Sequence, residues 1–327
     1  MKHALITGAA GFIGHRLALR LLAQGVSVVG FDNLSRKGAE YNLSTLESLG
    51  NQGFKFLKGD ITKAADFIEL EKTNTFDAIF HLAGQVAVTS SYADVNKDFL
   101  ENALGTVNVL EFAKRNCPDA FLLYSSTNKV YGHLKVEEPV GVSCKLDPYT
   151  PYGVSKGVGD LYFREYGRGE LGLTTCVLRQ SCIYGPGQIG VEDQGWLAWF
   201  AIANLKNLPV TIYGTGRQVR DLLFVEDLVS LYIECCQKRV RGQFPVGGGA
   251  QNSMSISQAI ELIPQLTNKA YSATHYGPQR PGDQDYFVSD NSWALEEGLA
   301  WKPETSLSVG LPEMIRWMKQ NNIAERF

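Results

Sequence analysis

Gly8-Ala9-Ala10-Gly11-Phe12-Ile13-Gly14 follows an apolar run, His3–Thr7, and opens an amphipathic one, Ile13–Gln24. Glycines at this spacing let a chain turn tightly between strand and helix, approach a pyrophosphate closely and pack the helix on the strand. The helix that begins there offers unpaired N–H groups and a favourable dipole to phosphate. A second apolar run, Val26–Phe31, ends at Asp32, 18 residues after Gly14. A carboxylate at that point accepts hydrogen bonds from the adenosine ribose hydroxyls and repels a 2′-phosphate, so the pattern predicts NAD rather than NADP as the cofactor.

Outward from this turn, Phe54–Lys58, Ala78–Leu82, Ala120–Tyr124 and Leu173–Leu178 read as further strands, with helical stretches such as Asp98–Arg115 and Pro151–Tyr166 between them. Such alternation predicts an α/β fold with a Rossmann-type doubly wound parallel sheet. Past about residue 180 the alternation gives way to segments punctuated by glycine and proline, Gly185-Pro186-Gly187 and Gly247–Gly249 among them. That texture predicts a smaller C-terminal α/β substrate lobe over the carboxyl ends of the strands. The expected division is 1–178 for the NAD-binding domain and 179–327 for the substrate lobe. Residues 215–245 are expected to return to the larger domain, because Glu226–Gln237 is helical and apolar.

The 327 residues are 44% hydrophobic and 20% charged with a net charge of −3, the balance of a globular protein with a sizeable core. Charges of both signs are mixed and no basic run occurs, which argues against nucleic acid or membrane and for a small-molecule partner. No apolar run approaches a membrane span and no signal-peptide pattern stands at the N-terminus, so a cytoplasmic location is expected. Six cysteines, Cys117, Cys144, Cys176, Cys182, Cys235 and Cys236, show no Cys-x-x-Cys spacing. Reduced thiols are expected, no metal site is, and His81 reads as a buried strand-end histidine.

Tyr152-Gly153-Val154-Ser155-Lys156 carries the candidate chemistry. Four residues apart on a helix, Tyr152 and Lys156 share one face and reach one pocket. A phenol with a free pKa of about 10 is a poor base at neutral pH. A neighbouring ammonium and a positively charged cofactor ring favour the phenolate. Tyr152 is therefore the expected base for a hydroxyl proton, with Lys156 lowering its pKa and holding the cofactor ribose. Tyr124-Ser125-Ser126-Thr127-Asn128-Lys129-Val130-Tyr131-Gly132 closes the fifth strand, where a parallel sheet places its ligand-facing residues.

Over nearly its whole length the chain resembles the extended short-chain dehydrogenase/reductase superfamily. The Gly-x-x-Gly-x-x-Gly turn, Asp60-Ile61, His81-Leu82-Ala83-Gly84, Asn102-Ala103-Leu104-Gly105-Thr106 and the Tyr-x-x-x-Lys pair carry that resemblance. It implies a cofactor site made of Gly8, Gly11, Phe12, Ile13, Gly14, Asp32, Asn33, Asp60, Ile61, Leu82, Ala83, Gly84 and Ser125, with Tyr152 and Lys156. It also implies Thr127 as a third catalytic residue, its hydroxyl bonded to the reacting oxygen; a plain cap of the following turn is the alternative. Sugar 4,6-dehydratases of the superfamily carry Asp-Glu at the next two positions, an acid and a base for eliminating water. Here they are Asn128 and Lys129. Dehydration loses its machinery, epimerisation is expected instead, and Lys129 is expected to bond a sugar hydroxyl or a developing oxyanion.

Asp32–Ala39, His81–Ala87, Ser125–Gly132 and Asp193–Trp196 resemble the branch that epimerises CDP-linked 3,6-dideoxyhexoses at C2, which points to bacterial surface polysaccharide. The implied reaction passes hydride from C2 to NAD⁺ and back to the opposite face of the ketone, without net redox. Substrate contacts are expected from Gln85, Thr127, Asn128, Lys129, Gln180, Arg220 and Arg280, the arginines at family positions that grip pyrophosphate or ribose. Asp193 and Gln194 are further candidates, and Trp196 and Trp199 read as packing anchors. Two features depart from the pattern: His133–Pro148 is short, and Cys182 stands where common sugar epimerases have Asn, with Gln180 serving in part. The competing functions are a UDP-sugar 4-epimerase of the same chemistry and a non-catalytic NAD-binding regulator, which would be expected to lose Tyr152, Lys156 or Thr127. The resemblance further implies a homo-oligomer, dimer or tetramer, paired through Asp98–Arg115 and Pro151–Tyr166.

Overall fold

The computed structural model describes residues 1–50, 53–72, 75–134 and 137–327. Strands β1 (His3–Thr7), β2 (Ser27–Asp32), β3 (Phe54–Lys58), β4 (Ala78–His81), β5 (Phe121–Thr127) and β6 (Thr174–Gln180) form a parallel sheet in the order β3-β2-β1-β4-β5-β6. A seventh strand, Gly242–Val246, adds to the far side of β6, Phe244 lying beside Leu178. The sheet is Rossmann-type and doubly wound, as expected. Its order reverses between β1 and β4, where such sheets open a crevice for ligands.

Both faces of the sheet are covered, which is why its strands are apolar almost throughout. Alternate residues serve opposite layers. Leu122, Tyr124 and Val177 pack with Val109, Phe112 and Phe163 on one side. Leu123, Cys176 and Leu178 pack with Leu17, Leu21, Leu228 and Tyr232 on the other. The expected helix Asp98–Arg115 is a longer run, Val95–Phe99 and Gly105–Asn116, interrupted by a π-helical turn at Leu100–Leu104. Asn102 on that turn donates its amide to Ser155 Oγ at 3.0 Å and accepts the Thr106 hydroxyl on its carbonyl at 2.6 Å. The turn thus aims one side chain at the Pro151–Tyr166 helix, and a periodicity argument has no signal for its extra residue.

The rest of the chain builds a lobe around Val219–Phe224, which pairs antiparallel with Ser253–Ser255 and parallel with Tyr286–Phe287 and Cys182–Tyr184. A separate parallel pair joins Val210–Tyr213 to Thr274–Gly277. Helices Trp196–Leu205, Ile256–Thr267 and Leu307–Gln320 supply its core. The chain then crosses back: Val225–Lys238 packs on the large sheet and Gly242–Val246 joins it. That return begins at Val225 rather than at residue 215, because the residues before it are a strand of the smaller lobe. Among the described residues no helix is long and apolar enough to cross a membrane.

Candidate active site

Two adjoining clefts open at the carboxyl ends of β1, β4 and β5, with Phe12, Ile13, Leu82, Ser125 and Gln188 common to both. The first is lined by Gly8, Gly11, Phe12, Ile13, Gly14, Asp32, Asn33, Asp60, Ile61, Leu82, Ala83, Gly84 and Ser125, thirteen of the fifteen positions expected for the cofactor, while Tyr152 and Lys156 line the second. Gly8 has φ 74°, and a Cβ on Gly14 would come 2.2 Å from the Gly8 carbonyl oxygen. The turn therefore admits only glycine at both places. The helix beyond it is capped by Gly11 with no side-chain hydrogen bond, which leaves first-turn N–H groups for a phosphate.

Asp32 takes N–H bonds from Ala10 at 3.0 Å and Leu34 at 2.8 Å. Burial raises its pKa and these bonds oppose the rise. Two carboxylate oxygens offer about four lone-pair sites, so acceptor capacity remains for ribose hydroxyls. Asp60 is settled by Thr62, whose N–H and hydroxyl bond Oδ1 at 2.9 and 2.8 Å, with the Asn33 amide 3.4 Å from Oδ2. The donors and acceptors fit a dinucleotide with an unphosphorylated adenosine ribose.

The second cleft gathers Thr127, Asn128, Lys129, Tyr152, Lys156, Gln180, Arg220 and Arg280. Thr150 caps the helix that carries Tyr152 and Lys156, its hydroxyl accepting the Gly153 N–H at 3.0 Å. Tyr152 is hydrogen-bonded to Thr127. Thr127 Oγ1 also accepts the Lys129 N–H at 3.3 Å, so this hydroxyl both caps the turn and faces the phenol. Lys156 Nζ donates to the Ser125 carbonyl at 2.5 Å and lies 4.3 Å from the Tyr124 ring centroid. Burial pushes Lys156 down to about 7, with Asp160 and Asp98 opposing.

The expected Tyr152 phenolate relies on the ammonium together with the cofactor's positive ring. Burial pushes that phenol up to about 12, and the Thr127 hydrogen bond only partly offsets it. The ammonium is spent on the Ser125 carbonyl instead. Gln85 is a correction. It lines neither cleft, because its side-chain amide bonds the N–H and carbonyl of Ala87 and closes its own turn. Trp196 and Trp199 are more than packing anchors: both line the second cleft, and the Trp196 indole donates to Cys182 Sγ at 3.3 Å. His81 is a buried link, its ring nitrogens 2.7 Å from the Thr7 hydroxyl and 3.0 Å from that of Thr106.

Arg280 was expected in this cleft, but Asp283 and Gln284 on the same strap were not. Gln284 is 1% exposed. Its amide reaches the carbonyls of Asn128 and Gly132 at 3.3 and 2.8 Å, and its oxygen accepts from Asn128 Nδ2 at 3.2 Å. Asp283 pairs with Arg220 at 2.5 Å. Arg280 stacks 3.9 Å over the Tyr213 ring and lies 3.7 Å from Asp193. Gln194 meets Arg36 at 2.9 Å across the first cleft. Only Arg280-Pro281-Gly282-Asp283 hinted at this, as a charged turn between glycine and proline.

A parallel doubly wound sheet, a glycine turn at its switch point and a Thr–Tyr–Lys group beside it define a class. The chain belongs to the NAD dependent epimerase/dehydratase family, whose model matches residues 4–247. It is 41% identical to the CDP-paratose 2-epimerase of Salmonella typhi over 96% of this chain and 98% of that protein. The crystal structure of UDP-glucose 4-epimerase with UDP-glucose from Thermotoga maritima superposes with a TM-score of 0.86 at 28% identity, covering 98% of this chain and 99% of that one. The UDP-glucuronic acid 4-epimerase of Bacillus cereus, in complex with UDP-glucuronic acid and NAD, gives 0.84 at 26% identity over 98% and 99%.

Proposed function

We propose that this chain is an NAD-dependent nucleotide-sugar epimerase that interconverts CDP-paratose and CDP-tyvelose at C2. The observation that carries the reading is the pairing of Thr127, Tyr152 and Lys156 in one cleft with Asn128 and Lys129 where a dehydratase has its acid and base. The Salmonella relative supports the CDP-linked hexose. Gly8, Gly11, Gly14 and Asp32 would hold the pyrophosphate and adenosine ribose of NAD, and Lys156 the ribose next to the nicotinamide. Bound NAD supplies the hydride acceptor and then donor, together with a positive ring that opposes the burial penalty on a Tyr152 phenolate.

Tyr152 takes the proton of the C2 hydroxyl as that carbon is oxidised and returns it when the ketone is reduced. Thr127 bonds the same oxygen and keeps it against the phenol. Arg220 and Arg280 grip the diphosphate, which leaves the hexose free to present its other face. The walls near C2 contribute no ionised carboxylate at Asn128, so no water is eliminated. We further propose a homodimer. Val95, Phe99, Leu100 and Leu104 on one helical run and Val154, Leu161 and Tyr162 on its neighbour are exposed together, an apolar surface that pairing would bury.

CDP-paratose carrying deuterium at C2 tests the reading. The label is expected at C2 of CDP-tyvelose, with no stoichiometric consumption of bulk NAD⁺. Washout of the label into water would overturn the hydride route, and stoichiometric NADH would overturn the redox-neutral epimerisation. Turnover of UDP-sugars at C4 in place of CDP-sugars would move the assignment to the 4-epimerases.

A further inference from the structure

Lys129, Arg220 and Asp283 come from three parts of the chain and meet at one carboxylate oxygen. Arg220 Nη2 lies 2.5 Å and Lys129 Nζ 3.7 Å from Asp283 Oδ1. Lys129 Nζ also donates to the Gly282 carbonyl at 3.1 Å. Asp283 Oδ2 takes a longer bond, 3.4 Å, from Gln218 Nε2. The Lys129 side chain is 16% exposed and lines the cleft beside Thr127 and Tyr152. An ammonium has three N–H donors. Here the carbonyl takes one at hydrogen-bond distance, and the carboxylate stands beyond that range, nearer to its competitor.

We propose that Lys129 binds a hydroxyl of the hexose and that Asp283 is a positioning residue that couples it to Arg220, so that the sugar contact forms when the diphosphate is seated. The proposal rests on the nucleotide-sugar reading above. Arg220 is held by one Asp283 oxygen and by the backbone carbonyls of Val219 and Gln284, and a diphosphate competes for its planar fork by offering several anionic acceptors in matching geometry. Asp283 Oδ1 is then left to Lys129 and keeps its ammonium charged and aimed at the sugar. Three charged or titratable groups face that ammonium from the smaller lobe: Arg220, Asp283 and the Cys182 thiol. Burial pushes Lys129 down to about 8, Arg220 pushes the same way and Asp283 opposes. Without Asp283 the ammonium loses its proton at lower pH.

The test is steady-state kinetics of the NAD-loaded enzyme with CDP-paratose from pH 6 to 10, beside calorimetric binding of CDP alone. Lys129→Met is expected to raise KM roughly tenfold to a hundredfold, the range for a hydrogen bond to a charged group. It should move kcat less, leave CDP affinity within about twofold and remove the alkaline limb of kcat/KM. Asp283→Asn should shift that limb down by about one pH unit. Lys129→Arg, which keeps the charge and guards against a misfolded Met variant, should restore part of KM. Wild-type KM and limb in Lys129→Met or Asp283→Asn, with Tyr152→Phe still inactive, would overturn the coupling and leave the epimerase standing. Failure of the wild-type chain to epimerise any nucleotide sugar would overturn the underlying reading.

Discussion

The two clefts are built from different materials. The first is largely backbone: a glycine turn, a helix end and strand ends drawn from residues 8 to 125, with side chains such as Asp32 and Asp60 settled by neighbouring N–H groups. The second is rich in side chains, assembled from segments as distant as Phe12 and Asp283 and held by contacts between the lobes. Backbone sites tolerate little change at a few glycines and much elsewhere. Side-chain sites divide their function among many residues, each replaceable at its own cost. The contrast teaches where specificity would reside in the proposed function, with the first cleft holding the cofactor and the second selecting the sugar.

The largest effect expected is on turnover. Tyr152→Phe keeps the ring packing and removes the phenol proposed as the base for the C2 hydroxyl, so kcat should fall on the order of a thousandfold. NAD content after purification should match the wild type, and loss of cofactor along with activity would show that the clefts are not separable in this way. Gly14→Ala should break the first cleft instead. Its Cβ has no room beside the Gly8 carbonyl, so a drop in stability of about 1–3 kcal/mol is expected, with bound NAD lost in parallel. An unchanged Tm with full cofactor would refute the close packing of that turn.

Asp32→Asn is a milder probe. It removes the charge that repels a 2′-phosphate, and the preference for NAD over NADP should narrow by roughly tenfold. Equal discrimination in mutant and wild type, measured by titration of both cofactors, would assign selectivity to another group. The smallest effect concerns acid. Burial holds His81 down at about 3, against a free value of about 6.5. The folded chain therefore binds fewer protons than the unfolded chain between those values. Stability from neutral His81 is complete above about pH 6.5 and falls as pH drops towards 3, by roughly 1 kcal/mol per pH unit. Urea midpoints from pH 7 to 4.5 should fall less steeply in His81→Gln than in the wild type, and identical slopes would contradict the buried neutral ring.

This division also governs what could be read in advance. His3–Thr7, the Gly8–Gly14 turn and Asp32 were legible because a dinucleotide turn is written in contiguous glycines and a fixed interval. The Pro151–Tyr166 helix was legible because its helical pattern and Tyr–Lys spacing are local. Gln85 was misplaced because no pattern reveals whether an amide bonds its own turn or a ligand. The π turn at Leu100–Leu104 and the strap at Asp283 and Gln284 escaped because their reasons lie in partners that a linear reading does not bring near: Ser155 for the first, and Arg220 and Asn128 for the second. The phenol's position near 12 is likewise a property of enclosure rather than of composition.

The late strand Gly242–Val246 has a consequence for how the protein is made. Roughly sixty residues, about forty of them from the other lobe, are synthesised between β6 and that strand, which at ribosomal speed is a delay of about 3–12 seconds. During that interval β6 stands as an unpaired border, open to any extended segment nearby. Completion of the large sheet must wait for the smaller lobe to emerge, so a nascent chain halted before Val225 would be the species most in need of a chaperone.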